Sequence, residues 1–372
     1  MSSSGNSSGL VAGLARLLHG SIAPSLVLIY AVLVLAFGAR LAAMPVVGMI
    51  HPLLELVMLM AAVAIAVHHA EAIAHALGEP YGTLVLTMAV TVIECSLILA
   101  VMSSGKGNPA LARDTVFSVI MLVMNGLVGA CFLIGGLKWG EQTFRATSAR
   151  AYLMVLLPFG VLTMVLPGFT TSATGPYYSP AQIVFVSLIT LALYAIFLYV
   201  QTVRHRVFFD VEDAPAASAD EARPQTSTYV LLMVALVAIV LLAKSFAPSI
   251  EAAVTATGAP QSVVGVLVAL LVLLPESVAA IQAARANQLQ RSVNLALGSS
   301  LATIGLTFPA VGFLSLAIGE PLVLGLGPTE MILLALTLTV GMVTTTGGRT
   351  NILSGSVHLV LFATFLFLIF VP

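Results

Sequence analysis

The chain has 372 residues, 59% of them hydrophobic and only 8% charged, where soluble domains carry about 25% charged residues. With a mean hydropathy of +1.10, this excludes a soluble globular protein and predicts an all-α polytopic membrane protein. The net charge of −1 is uninformative in itself, and no nucleic-acid partner is expected.

A helix needs about 20 apolar residues to cross the hydrocarbon core. In chain order, the apolar runs predict eleven spans: 24–43, 46–67, 83–103, 114–137, 151–170, 181–203, 228–246, 260–284, 292–314, 321–343 and 353–371. The run 25–38 is read as the first span, not a signal peptide, because it lacks a small-residue cleavage site and many spans follow. Residues 208–227 break the pattern. They hold Asp210, Glu212, Asp213, Asp220 and Glu221 among Ala, Pro and Ser, and read as a solvated acidic linker. The organisation is therefore 1–45 (tail and first helix), 46–203 (a first five-helix repeat), 204–227 (linker) and 228–372 (a second five-helix repeat).

Alternating sides along these spans puts ten Lys and Arg on the side of the N-terminus and four on the other. The positive-inside rule then places the N-terminus in the cytoplasm, in a plasma (inner) membrane. Cys95 and Cys131 both sit in apolar runs and read as small buried hydrophobes, not as a disulfide or metal pair.

Two spans carry a carboxylate near the middle: Glu94 in "TVIECSLILAVM" and Glu276 in "LLPESVAAIQAA". A carboxylate at the bilayer centre costs about 2.5–3.5 kcal/mol on insertion scales, which marks such residues as functional. Each glutamate lies in the second helix of its half, and each is followed by a loop ending in arginine, Arg113 or Arg291. Twelve residues beyond each arginine stands a polar residue, Asn125 or Thr303, with Ser118 near the first and Asn294, Ser299 and Ser300 near the second. The two glutamate spans run in opposite directions, the inverted-repeat layout of many secondary transporters. Paired buried carboxylates resist joint ionisation, and carboxylate, hydroxyl and carbonyl oxygens suit hard cations. One site can thus hold protons or a metal cation by turns. Pro275 beside Glu276 withdraws a backbone donor and frees carbonyls for an ion.

Residues 273–311, "LLPESVAAIQAARANQLQRSVNLALGSSLATIGLTFPAV", resemble the second signature repeat of the calcium/cation–proton antiporters, within the cation/Ca2+ exchanger superfamily. Residues 78–98 resemble the first repeat of its ChaA-type bacterial branch. The resemblance implies an eleven-helix antiporter that exchanges Ca2+, Na+ or K+ for protons, extruding the cation and taking up the proton, with no cofactor. It implies Glu94 and Glu276 as carriers of both, with polar helpers from the partner helices, Asn125 and Ser299 or Ser300; the residues themselves add Thr91 and Thr303 as supporting polar groups. The chain departs from the calcium pattern: Val90 and Thr91, and Val272 and Leu273, stand where a Gly-Asn pair precedes each glutamate, and Ala302 replaces a glutamine after "GSS". Fewer amide oxygens make a poorer calcium cage and leave Na+ or K+ open.

His51 and Glu55, spaced i and i+4 in the second span, share a helix face and form either a structural pair or a proton relay. The segment 68–79, with His68, His69, Glu71, His75 and Glu79, reads as an amphipathic lead into the next span, and no H-E-x-x-H zinc spacing occurs. Glu330 and Asp114 read as peripheral, Glu320 and Glu251 as loop residues. The alternative function is a cation channel or pore without proton coupling. No filter of carbonyls or charged rings, nucleotide loop or nucleophile–base set is legible, so neither a pump nor an intramembrane enzyme is expected.

Overall fold

The computed structural model describes residues 22–42, 45–77, 81–102, 109–209, 225–319 and 321–371. The N-terminal tail with Arg16, Glu79, Lys106, linker residues 210–224 and Glu320 lie outside the described residues.

Among these residues the chain forms eleven helices: α1 (Ile22–Ala42), α2 (Pro45–Leu77), α3 (Tyr81–Met102), α4 (Leu111–Trp139), α5 (Ala146–Gly168), α6 (Pro180–Arg204), α7 (Thr226–Ala256), α8 (Ser262–Arg285), α9 (Leu289–Ile318), α10 (Pro328–Thr346) and α11 (Ile352–Phe370). Nine are long and apolar enough to cross a bilayer, and the shorter apolar stretches Ile22–Phe37 and Val85–Ala100 supply α1 and α3. All eleven spans expected from the sequence are present, with three corrections. α2 runs on to Leu77, so the His/Glu segment continues the helix with His69 and Ile73 buried and Glu71 and His75 exposed. α7 runs on to Ala256 and places Glu251 in a helix, not a loop. α10 begins at Pro328, not near residue 321. Gly327 is extended ahead of that proline, as the ring of a following proline requires, and Leu326 N–H is taken by the Met164 carbonyl instead (2.8 Å).

Local sequence explains the helix ends. Ser179 and Gln182 form a reciprocal capping box before Pro180, satisfying two backbone donors at the start of α6. Asn351 accepts from the backbone of Leu353 and Ser354 at the start of α11. Gly319, at φ 81°, ends α9 in the left-handed conformation that glycine adopts without steric penalty.

The described chain divides into two compact units, one drawn from 1–104 and 216–250, the other from 105–215 and 251–372. The first comprises α1, α2, α3 and most of α7; its buried residues include Leu59, Ala62 and Ala66 of α2 and Ala238, Ile239 and Leu242 of α7. The second comprises α4 to α6 and α8 to α11, around a core that includes Ile120, Phe132, Tyr152, Phe159 and Leu301.

Within the second unit, loop contacts fix which helix ends share a face. Gln142–Thr143 pairs antiparallel with Arg349–Thr350. Lys138 donates to the Arg285 carbonyl (2.9 Å), Arg145 N–H to Gln290 (2.7 Å) and Asn294 to the Phe209 carbonyl (2.7 Å). These contacts gather the ends of α4, α6, α8 and α10 and the starts of α5, α9 and α11 on one face, here the hairpin face. At the opposite face, Arg113 donates to the Gly325 carbonyl (3.0 Å), Val323 N–H to Pro109 and Leu324 N–H to Pro176. It follows that α4 and α9 run in opposite directions, as do α5 and α10, and α6 and α11. These three pairs are inverted as the repeat expected from the sequence requires.

Candidate functional site

In the second unit, α8 lies alongside α4 and parallel to it. Near the start of α8, Gly265 meets the backbone of Asp114 and Thr115 so closely that a Cβ there would stand 2.9 Å away; small residues allow such approach between membrane helices. At the other end, Lys138 and Gln142 donate to the carbonyls of Arg285 and Ala284. Glu276 is eleven residues beyond Gly265, as Asn125 is eleven beyond Asp114. At 1.5 Å per residue both are about 16 Å further along, so Glu276 and Asn125 lie at one level.

That level is structurally irregular in both helices. Pro275 interrupts the α8 ladder and leaves the Leu271 carbonyl without its usual i+4 donor. Asn125 lies in a π-helical turn, Leu122–Leu127, within α4. The counterpart helix α9 carries a π turn at Thr303–Thr307. π turns concentrate at functional sites, and these two contain the residues that the arginine spacing singles out, Asn125 and Thr303. The α4 turn packs against α8, α9, α10 and α11.

Glu276 is half-buried. Ser300 and Thr303 of α9 are buried, whereas Ser299 is partly exposed. The buried hydroxyl of Ser300, like that of Ser277, makes no hydrogen bond among the described residues, which leaves its oxygen available to a cation. Asn125 is fully buried and its amide is engaged: Nδ2 donates to Thr337 Oγ1 (2.8 Å), and Oδ1 lies 3.1 Å from His358 Nδ1. A carbonyl oxygen only accepts, so Nδ1 carries a proton. The other ring nitrogen, Nε2, lies 2.9 Å from Thr344 Oγ1, whose hydroxyl is also 2.9 Å from the Val340 carbonyl of its own helix. Sequence reading did not single out Thr337, Thr344 or His358. The lone histidine in the apolar run of α11 was the available signal. Asn294 lies apart from this level: it bonds Gln290 and the Phe209 carbonyl at the hairpin face.

In the first unit, Glu94 is 1% exposed. It stands thirteen residues after the start of α3 and eight before its end; Glu276 stands fourteen after the start of α8 and nine before its end. The two carboxylates thus occupy equivalent places in their own helices. Thr91, one turn before Glu94, turns its hydroxyl onto the Thr87 carbonyl of its own helix (2.9 Å). Glu55 is fully buried and His51 nearly so, 3.5 Å apart. Cys95, half-buried, and Cys131, buried, form no disulfide.

Asp114 and Glu330, expected to be peripheral, line a cleft of about 230 Å3 at the opposite face with Ser118, Ser262 and Thr329. Arg113 pairs with Asp114 at 2.7 Å, so the cleft's charge is partly neutralised within the protein.

Comparison with known proteins agrees with the fold. The chain is 44% identical over 346 residues to "Putative ionic transporter y4hA" of Sinorhizobium fredii (strain NBRC 101917 / NGR234), covering 90% of this chain and 94% of the relative. It is 37% identical over 349 residues to "Sodium-potassium/proton antiporter ChaA" of Escherichia coli (strain K12), covering 92% and 94%. Among solved structures, native YfkE superposes with a TM-score of 0.71 at 16% identity, over 94% of this chain and 100% of that one. The H+/Ca2+ exchanger CAX superposes with a TM-score of 0.64 at 17% identity, over 93% and 87%. At these identities the two structures speak for the fold. The family described as sodium/calcium exchanger protein matches residues 47–203 and 227–371, leaving out the acidic linker, and the chain belongs to that family.

Proposed function

We propose that this chain is a secondary transporter that exchanges Na+, K+ or Ca2+ for protons, with Glu94 and Glu276 as the groups that bind either. The observation that carries the reading is the placement of Glu276 at the level of the α4 π turn, beside a proline-interrupted ladder and within the helix set that includes the unbonded Ser300 hydroxyl. The equivalent station of Glu94 in α3 supports extending it to both repeats. The similarity to a sodium-potassium/proton antiporter over nearly the whole chain supports the choice of cargo.

The chemistry follows from charge. An ionised carboxylate at membrane depth is costly unless a cation or a proton neutralises it. A bound cation stabilises the carboxylate and lowers its affinity for protons, and a proton removes the charge that holds the cation. Occupancy is therefore alternative, and a carrier that changes access only when neutralised exchanges one for the other. Ser299, Ser300, Thr303 and the carbonyls near Pro275 supply neutral oxygens. Asn125 supplies its level with a fixed amide. The hairpin face carries Lys138, Arg145, Arg150, Arg204, Arg206, Arg285, Arg291 and Arg349; we assign it to the cytoplasm, and the N-terminus with it. In that orientation protons enter from the opposite side and the cation leaves toward it.

The test is exchange in everted membrane vesicles with an acid interior and a ΔpH reporter, adding Na+, K+ and Ca2+ separately. Glu94→Gln and Glu276→Gln are each expected to lower exchange about 100-fold or more, the effect of unbalancing a buried charge by roughly 3 kcal/mol, with the protein still in the membrane. Full exchange in both variants would contradict the assignment.

A further inference from the structure

The first unit holds a second buried carboxylate that the exchange chemistry above leaves unused. Glu55 of α2 is fully buried. Ser245 and Ser249, one turn apart on α7, donate to its two oxygens at 2.5 and 3.5 Å. His51 Nδ1 stands 3.5 Å from Oε2. From α1, Tyr30 lies within electrostatic range of the carboxylate, and its buried hydroxyl makes no hydrogen bond among the described residues. Lys244, next to Ser245, is exposed and takes no part.

This cluster is separate from Glu94. α2 and α3 meet at their turn, where Gly82 abuts the Ala74 carbonyl. From there Glu94 is twelve residues along α3 and Glu55 nineteen back along α2, an axial offset of seven residues or about 10 Å. Nor is it one half of a symmetric pair. Glu55 precedes Glu94 by 39 residues, and 39 before Glu276 stands Val237; α7 carries no acidic residue before Glu251.

The groups suit a proton better than a metal ion. Among the described residues no group of three or more His, Cys, Asp or Glu side chains gathers here to hold a metal ion, and the serine hydroxyls point their hydrogens at the carboxylate oxygens a metal would need. In a low-dielectric setting, carboxylate plus imidazole is net neutral with one proton between them, whichever atom carries it. Losing that proton or gaining another buries a net charge. The serines tie this pair to α7. α2 leads directly into the Glu94 helix, and α7 into the Glu276 helix.

We propose that Glu55 and His51, held by Ser245 and Ser249, form a second proton-binding site, and that its occupancy sets the pH range over which exchange runs. The functional half of this inference rests on the exchange reading; the binding half does not. In reconstituted vesicles, Glu55→Gln fixes the carboxylate's place uncharged. It is expected to remove one pH-dependent step from exchange, or move its midpoint by about one pH unit, with the cation KM within about twofold of wild type. A pH profile that superimposes on wild type overturns the proposal. So does a cation KM raised about tenfold with the profile unchanged, which would make Glu55 a cation ligand. Should Glu55→Gln not fold, Ser245→Ala keeps the pair and removes one hydrogen bond to the charged form. It is expected to move the midpoint to higher pH, and an unmoved midpoint counts against the proposal. Potentiometric titration of the purified protein, wild type against Glu55→Gln, needs no transport. Curves that differ between about pH 5.5 and 8.5, where an ordinary glutamate does not titrate, support the binding half, and coincident curves refute it.

Discussion

Asn125 illustrates how a single side chain is fixed within this membrane protein. Both atoms of its amide are engaged, by Thr337 from α10 and His358 from α11, and His358 is braced in turn by Thr344. The arrangement orients the amide and selects the Nδ1–H form of the imidazole. His358→Leu leaves the Asn125 oxygen and the Thr344 hydroxyl without that partner in a buried site. It is expected to cost about 1–3 kcal/mol, seen as a lower thermal midpoint in detergent, with partial recovery in His358→Gln, which restores a donor. An unchanged midpoint in His358→Leu would mean that the network holds nothing in place. Close backbone approach is fixed at this scale as well. Gly355 sits against the backbone of Leu133, where a Cβ would stand 2.4 Å from its nitrogen, so α11 and α4 meet there without an intervening side chain.

At the scale of helices, the apolar runs foretold all eleven spans, because a bilayer forces every backbone donor and acceptor to pair within the segment. Ends were less legible. Helical bonding continues past the apolar stretch wherever no breaker intervenes, so α2 reaches Leu77. It starts late where glycine and proline hold the chain extended, so α10 waits for Pro328. The π turns at Leu122–Leu127 and Thr303–Thr307 leave no mark in hydropathy, although the polar residues spaced from Arg113 and Arg291 fall inside them. Glu94, Glu276, His51 and Glu55 stood out because charge is scarce in apolar helices. Ser245 and Ser249 did not, since an isolated serine is ordinary in a membrane helix until a carboxylate is found against it. The sidedness of the helix ends is testable directly. With Cys95 and Cys131 replaced, a cysteine at Arg349 on the hairpin face should react with an impermeant thiol reagent only from the cytoplasmic side, and one at Ser172 only from the other. The reverse pattern would invert the assigned orientation.

For the whole molecule, the two halves share topology but not chemistry. α4 and α9 run in opposite directions with π turns at matching places, yet the first turn meets a hydrogen-bonded histidine and the second packs Gly305 against the Tyr194 ring. Glu55 likewise has no acidic counterpart in α7. Inverted repeats give a carrier two related access states, and such differences allow the two states to respond unequally to protons and cations. The central claim is narrower than that: cation and proton compete for Glu94 and Glu276. The measurement that tests it most directly is proton release from purified protein in weakly buffered solution as Na+, K+ or Ca2+ is added. The expected result is release with the transported cation in the wild-type protein and its loss in Glu276→Gln. Undiminished release from the variant, or none from a folded wild-type protein with any of the three ions, would contradict it.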